Sequence, residues 1–195
     1  NTTQTITKRD KFRFWLWRYA DYVVPNSFSQ ANFIKNNVPQ YFHKVSTITN
    51  FTDTDYFAPE NSKKVRSVSN KLLVVASEKK EKNFNRFVQA IANVREYFNI
   101  NVLWVGIRDE HIDEHRKILK NNNLENIFEV STPHKNLISI INGVDYFCLP
   151  SLYEGFPNVL CEAMSCGVPV ICSNVCDNPN IVEEGSNGFL FNPLD

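Results

Sequence analysis

Ser151-Leu152-Tyr153-Glu154-Gly155-Phe156-Pro157-Asn158-Val159-Leu160-Cys161-Glu162-Ala163-Met164 joins a loop pattern to a helix pattern. Just before it, Tyr146-Phe147-Cys148-Leu149 is a short apolar run of the kind a buried strand shows. Pro150, Gly155 and Pro157 supply turn chemistry. Asn158 stands where it can cap a helix, and Val159, Leu160, Ala163 and Met164 recur at helical spacing. Gly167 ends that helix, Pro169 forbids its continuation, and Val170-Ile171-Cys172 begins another strand. Strand, loop, helix and strand in this order put the loop at the carboxyl edge of a parallel sheet.

A helix start exposes N–H groups and a partial positive charge, which suits a phosphate. Glu154 in the loop and Glu162 one turn into the helix frame that place. A carboxylate accepts two hydrogen bonds and can hold a sugar diol. The pair therefore suits two hydroxyl-bearing groups on either side of a diphosphate. Acidic residues near a helix start also stabilise its dipole without any ligand, and spacing alone leaves both readings open.

The wording from Glu154 to Ile171, E-G-F-P-N-V-L-C-E-A-M-S-C-G-V-P-V-I, resembles the signature of the family-4 retaining glycosyltransferases of GT-B fold. It meets the pattern E-G-F-x-N-x-x-x-E-A-x-x-x-G-x-P-V at each fixed position. The resemblance implies that Glu162 binds a ribose diol and that Glu154 lies near the donor sugar. It also implies that the backbone of Gly155, Phe156, Pro157 and Asn158 approaches sugar and phosphates. The implied reaction moves a sugar from a nucleoside diphosphate to an acceptor hydroxyl with retention. It uses no metal or other cofactor, the nucleotide sugar being the donor substrate.

Apolar strands alternate with helical patterns on the amino side of this stretch. Leu72–Ala76, Val102–Gly106 and Ile127–Val130 read as strands. Asn83 is the expected cap of a helix with Phe84, Phe87, Val88, Ile91, Val94 and Phe98 on one face. A polar helix runs from about Glu110 to Lys120, and a short one follows His134 with Leu137, Ile138 and Ile141. On the carboxyl side a short helix over Pro179–Glu184, capped by Asn178 and stopped by Gly185, leads to a strand at Gly188–Phe191. The fold class is α/β, a Rossmann-like parallel sheet with helices on both faces, one half of a GT-B fold.

Residues 1–10 are polar and read as frayed, and residues 60–70 read as a loop. Between them lies an aromatic and basic segment over residues 11–22. It fits a membrane surface or a helix packed into a core, and the lack of a wide polar face favours the core. Asp21–Ser27 reads as a short strand, Ser27 or Ser29 as a cap for a helix through Ile34, and Val45–Asn50 as a second strand. The wordings V-V-P-N-S and I-T-N-F-T-D-T-D-Y-F-A-P resemble the family's passage out of its N-terminal domain. That implies residues 1–50 as the tail of an acceptor-side domain, 51–70 as an interdomain linker and 71–195 as the nucleotide-sugar-binding domain, with a further helix expected past Asp195.

The loop Ser77-Glu78-Lys79-Lys80-Glu81-Lys82-Asn83 follows the first strand of that domain. A lysine run is commonly just a solvated surface, but a lysine at a helix start is also a diphosphate partner. Here the family carries G-R before K-N or K-G. Lys82-Asn83 matches the second half, whereas Ala76 or Ser77 occupies the arginine's place, and neither replaces a bidentate clamp. Lys79 and Lys80 are the nearest substitutes. Glu154 and Lys82 are the expected catalytic pair. Glu162, Gly155, Phe156, Pro157, Asn158, Ser77 and Thr132 are the expected donor-binding residues. Thr132, in Ser131-Thr132-Pro133-His134, stands where the family's nucleobase meets a loop, and an ordinary strand-to-helix turn explains the same residues.

His111 and His115 lie four apart, but Ile112 stands where a zinc protease has Glu, so a solvated helix face is the expected reading. Cys148, Cys161, Cys166, Cys172 and Cys176 form no C-x-x-C and read as small buried hydrophobes in a reducing, cytoplasmic setting. Net charge is zero, with 21 basic and 21 acidic residues, so nucleic acid is not an expected partner. The expected partners are a nucleotide-sugar donor and a glycan or lipid-linked acceptor, with a peripheral membrane surface as the alternative reading of residues 11–22. The competing function is a nucleotide-binding module of the same fold without catalysis.

Overall fold

A computed structural model of the chain describes residues 7–60 and 70–195. The chain forms two compact units, residues 1–50 and 51–195. In the first unit α1 (Lys8–Leu16) starts at a capping box. Thr7 Oγ accepts the Asp10 N–H at 3.2 Å, and the Asp10 carboxylate takes the Thr7 N–H at 3.0 Å. Residues 7–10 are thus ordered by a cap, and residues 1–6 lie outside the described ones.

A 3-10 turn, Trp17–Tyr19, follows. Phe12, Trp15, Leu16, Tyr19 and Tyr22 are 44–72% exposed, which corrects the expectation that this run packs into a core. The buried apolar residues described in this unit are Val23, Ala31, Ile34 and Val38, too few to enclose those rings. The Arg18 guanidinium covers Trp15 and Tyr19 at 5.3 and 4.8 Å.

Helix α2 (Phe28–Asn37) is capped by Ser27 Oγ, which accepts the Gln30 N–H at 3.2 Å. The strands expected at Asp21–Ser27 and Val45–Asn50 reduce to one parallel bridge between Val23 and Val45. Ser46 N–H still reaches Val23 O and Ile48 N–H reaches Pro25 O. Pro25 has no N–H to return a bond, so the ladder stops there.

In the second unit, Ala58 O accepts the Asn142 amide at 3.1 Å and Glu60 N–H donates to Asn142 Oδ1 at 3.2 Å. Phe57 packs on the core. Residues 51–60, read as part of a linker, are therefore fixed to the sheet unit, and the loop expected onward to residue 70 lies mainly outside the described residues.

The sheet unit runs β1 (Lys71–Val75), α3 (Phe84–Val94), β2 (Asn101–Val105), α4 (Asp109–Asn121), β3 (Phe128–Ser131), α5 (Leu137–Asn142), β4 (Tyr146–Leu149), α6 (Asn158–Ser165), β5 (Val170–Ser173), α7 (Asn178–Ile181) and β6 (Gly188–Phe191). All its strands are parallel, in the order β3-β2-β1-β4-β5-β6. Successive residues of β1 feed opposite faces. Leu72 and Val74 join Phe84, Phe87, Val88 and Ile91 of α3, while Leu73 joins Leu160 and Ala163 of α6. Helices therefore cover both sides of the sheet.

The winding reverses between β1 and β4, the place at the carboxyl edge where ligands of such sheets bind. Helix α6 closes in a Schellman motif. Val168 N–H reaches Ala163 O at 3.1 Å, Gly167 N–H reaches Met164 O at 2.9 Å, and Gly167 takes φ +70°.

Candidate functional site

The first half of the site is the segment leaving β1. Ala76 continues the β1 ladder by donating its N–H to Val105 O at 2.8 Å, and its carbonyl accepts the indole N–H of buried Trp104 at 2.8 Å. Half-buried Ser77 opens the loop. A 3-10 turn, Lys80–Lys82, then hands the chain to Asn83 at φ +63°, and α3 begins.

Asn83 marks the helix start as expected, but its side chain does not cap it. Its amide donates to Pro150 O at 3.1 Å and to Pro193 O at 3.2 Å. Leu152 N–H adds a bond to Glu81 O at 2.7 Å. The left-handed conformation, which asparagine tolerates, turns the amide toward the loop after β4.

The second half leaves β4. Glu154 is 8% exposed, an unusual burial for a carboxylate. Lys82 Nζ meets its Oε1 at 2.7 Å, and the fully buried Ser151 hydroxyl donates to the same oxygen at 2.5 Å. The Glu154 backbone N–H donates to Cys176 Sγ at 3.4 Å, and Cys176 holds φ +50°. The backbone behind is pinned as well: Ser173 Oγ donates to Ser151 O at 2.6 Å, and the Asn178 amide donates to Ser173 O at 2.8 Å.

The expected cap at Asn158 is corrected. The capping position falls on Pro157 without a side-chain cap, and Asn158 is the first helical residue. Proline's preset φ starts the helix. Asn158 N–H donates to Phe156 O at 3.0 Å and Leu160 N–H to Pro157 O at 3.1 Å, so part of the amide set is engaged within the loop. Phe156 and Gly155 are half-buried beside it. Glu162 lies one turn on, half-buried, and burial raises its pKa.

Thr132 follows β3, two strands out from β1, or about 10 Å across the sheet. The structure thus joins Lys82 and Glu154 directly. Among the described residues no hydrogen bond or ion pair links Glu162, Ser77 or Thr132 to that pair. A cleft of about 530 Å³ lined by Arg116, Lys120, Glu125 and Phe128 lies at the other edge, by the starts of β2 and β3.

A second ion pair spans the carboxyl ends of β1 and β2. The Arg108 guanidinium, at the start of α4, lies 2.6 Å from Glu78 Oε1 and 2.8 Å from Glu110 Oε1. Its own backbone N–H and Arg108 hold the Glu78 carboxyl at about pKa 2. The pair's contribution to stability is whole above the ordinary value of 4.5 and is lost as pH falls through about 2. Arg108→Met is therefore expected to lower the urea midpoint at pH 7 and to change it much less at pH 2. Added salt narrows the gap at pH 7, because Arg108 is exposed.

The histidines also differ from expectation. His115 is buried, packs edge-on to Phe84 at 4.5 Å and places Nδ1 2.7 Å from His111 O, so the two rings do not share a solvated face. Among the described residues no group of three or more His, Cys, Asp or Glu is arranged to hold a metal ion. None of the five cysteines is in a disulfide, and Cys148, Cys166 and Cys172 are buried. Burial pushes Cys172 up to about 12. The expected helix over Pro179–Glu184 is the shorter α7, with Asp177 at its cap position and Asn178 fully buried.

Sequence reading passed over the roles of Ser151 and Ser173 and the cross-link made by Asn83, and it took Cys161 and Cys176, both only half-buried, for buried hydrophobes. Ser151 has no period or motif chemistry to mark it. Its one signal is its place between strand and loop.

Residues 58–195 match the protein family described as glycosyl transferases group 1. The chain is 44% identical over 63 residues to O-antigen chain mannosyltransferase B of Escherichia coli, which covers 32% of the chain and 16% of the relative. It is 28% identical over 152 residues to N-acetyl-alpha-D-glucosaminyl L-malate synthase of Bacillus anthracis, covering 75% of the chain and 40% of the relative. Among solved structures it is similar to Anabaena HepE in complex with UDP and glucose. There the TM-score is 0.81 and the identity 22%, over 94% of the chain and 52% of HepE. The chain thus spans about half or less of each of these relatives.

Proposed function

The chain belongs to the group 1 glycosyl transferases, and from that we propose that it binds the nucleotide-sugar donor of a retaining, hexosyltransferase-type enzyme. The observation that carries the reading is the meeting of Lys82 and Glu154, 72 residues apart, at 2.7 Å where the sheet's winding reverses. Lys82 has three donors and spends one on Glu154, which leaves two for a diphosphate. The α6 start adds its dipole. As the sugar departs, negative charge grows on the diphosphate, and the Lys82 ammonium stabilises it. Glu154 takes the sugar hydroxyls, and Glu162 takes the ribose diol. A carboxylate that burial has already stripped of water, as at Glu162, gains more from a pair of hydroxyl donors than an exposed one does.

Gly155, Phe156, Pro157 and Asn158 line the donor site. Ser77 and Thr132 flank it at the ends of β1 and β3. The acceptor is a glycan or lipid-linked glycan, in keeping with a relative that is an O-antigen chain mannosyltransferase, and cysteines outside any disulfide fit a cytoplasmic enzyme. Acceptor contacts fall to a further domain, with residues 1–50 as its tail and residues 51–70 read as the join.

Calorimetric titration of the chain with UDP, GDP and ADP tests this reading. One of the three is expected to bind, and Glu162→Ala is expected to weaken it about tenfold by removing a charged acceptor. A folded chain that binds none of them refutes the donor site.

A further inference from the structure

Glu154 is held through one oxygen. Lys82 Nζ at 2.7 Å and Ser151 Oγ at 2.5 Å both lie on Oε1, and Oε2 takes neither bond. Behind Ser151 runs a buried relay. The Asn178 amide donates to Ser173 O, Ser173 Oγ donates to Ser151 O, and Ser151 Oγ donates to Glu154. Ser151, Ser173 and Asn178 are each fully buried, so the relay has no solvent route by which to rearrange.

We propose that Ser151 is a positioning residue that keeps Glu154 Oε2 turned toward the donor sugar. The proposal rests on the reading of Glu154 given above. The two holders of Oε1 are not equivalent. Lys82 is a flexible ammonium that a diphosphate draws toward itself. Once it moves, the carboxylate is free to follow the charge, and the Ser151 hydroxyl is the contact that remains to stop it. Ser151 cannot follow, because its own carbonyl is tied to Ser173. Its role is therefore greatest in the loaded state, and it falls on the sugar rather than on the nucleotide.

The test compares affinities of the 195-residue chain for three matched pairs: UDP and UDP-glucose, GDP and GDP-mannose, ADP and ADP-glucose. The readout is the gain that the sugar adds over the bare nucleotide. Ser151→Ala is expected to cut that gain about tenfold, the scale of a charge-assisted hydrogen bond, and to leave the bare nucleotide unchanged. Glu154→Gln is expected to remove the gain too, with the double variant no worse than Glu154→Gln alone. Should the alanine variant not fold, Ser151→Cys keeps a weaker donor of similar size and is expected to give an intermediate gain.

Equal losses for both ligands of a pair would make Ser151 merely structural and overturn the proposal. So would an unchanged gain in Ser151→Ala when Glu154→Gln abolishes it. A gain that survives Glu154→Gln, or no gain in the unaltered chain, refutes the assignment of Glu154 itself, and the proposal goes with it.

Discussion

Lys82→Met is expected to reduce nucleotide affinity about 100-fold, the scale of a lost charge-assisted phosphate contact in a partly desolvated site. It is also expected to cost about 2 kcal/mol of stability. The second figure follows from what is left behind. The side chains of Lys82 and Glu154 are 21% and 10% exposed, so removing the ammonium strands a largely buried carboxylate on Ser151 alone. The site is open enough on the lysine side to fall short of the penalty for a fully buried pair.

The converse variant moves affinity the other way. Glu154→Gln leaves the lysine charged and removes a negative charge beside the incoming diphosphate, so bare nucleotide affinity is expected to rise a few-fold. Titration of both variants at one ionic strength, with urea melts alongside, checks the pair of signs. Equal losses in both would mean that the ion pair is only a brace between two loops.

Much of the sheet was legible because its signals are local. Runs such as Leu72–Ala76 and Tyr146–Leu149 are short, apolar and bounded by turn residues; the second is a strand where expected, and the first is one shifted by a residue, to Lys71–Val75. Helix α3 buries Phe84, Phe87, Val88 and Ile91 at helical spacing, but of the other two residues expected on that face Val94 is its half-buried last residue and Phe98 lies past its end, 67% exposed. The misses are where tertiary context outweighs local preference. Asn83 and Asn158 both suit a cap, yet one amide is drawn to Pro150 and Pro193, and the other residue sits one place inside the helix because Pro157 starts it.

The aromatic run of residues 11–22 has the composition of a core segment, but composition does not say whether a core is large enough to receive it. In the site, the Lys82–Glu154 meeting was only implied by topology. Ser151, Ser173 and Cys176 were illegible because a hydroxyl or thiol has no period, and its role exists only once the fold brings an acceptor or donor to it.

Gly106→Ala is expected to destabilise the chain by about 3–5 kcal/mol, the range of the severe single substitutions. Three costs stack at one atom. Gly106 holds φ +119°, a conformation that side chains rarely adopt, worth about 1–3 kcal/mol. An added Cβ would stand 2.8 Å from Ala76 O and 3.1 Å from Ala76 C, both backbone atoms with little room to yield. That same carbonyl accepts the Trp104 indole N–H, and Trp104 is fully buried, so pushing the carbonyl aside strands a donor at about 1–3 kcal/mol.

Gly185→Ala is the control. Gly185 also takes a positive φ, +75°, but a Cβ there meets nothing within 4 Å, so conformational strain acts alone and about 1 kcal/mol is expected. Urea midpoints of the two variants measured together separate strain from collision, and equal midpoints would show that the end of β2 does not press on Ala76. Because Ala76 leads directly into the loop that carries Ser77 and Lys82, the Gly106 variant is also expected to lose nucleotide affinity under conditions where it remains folded. The Gly185 variant, at a surface turn before β6, is expected to keep it.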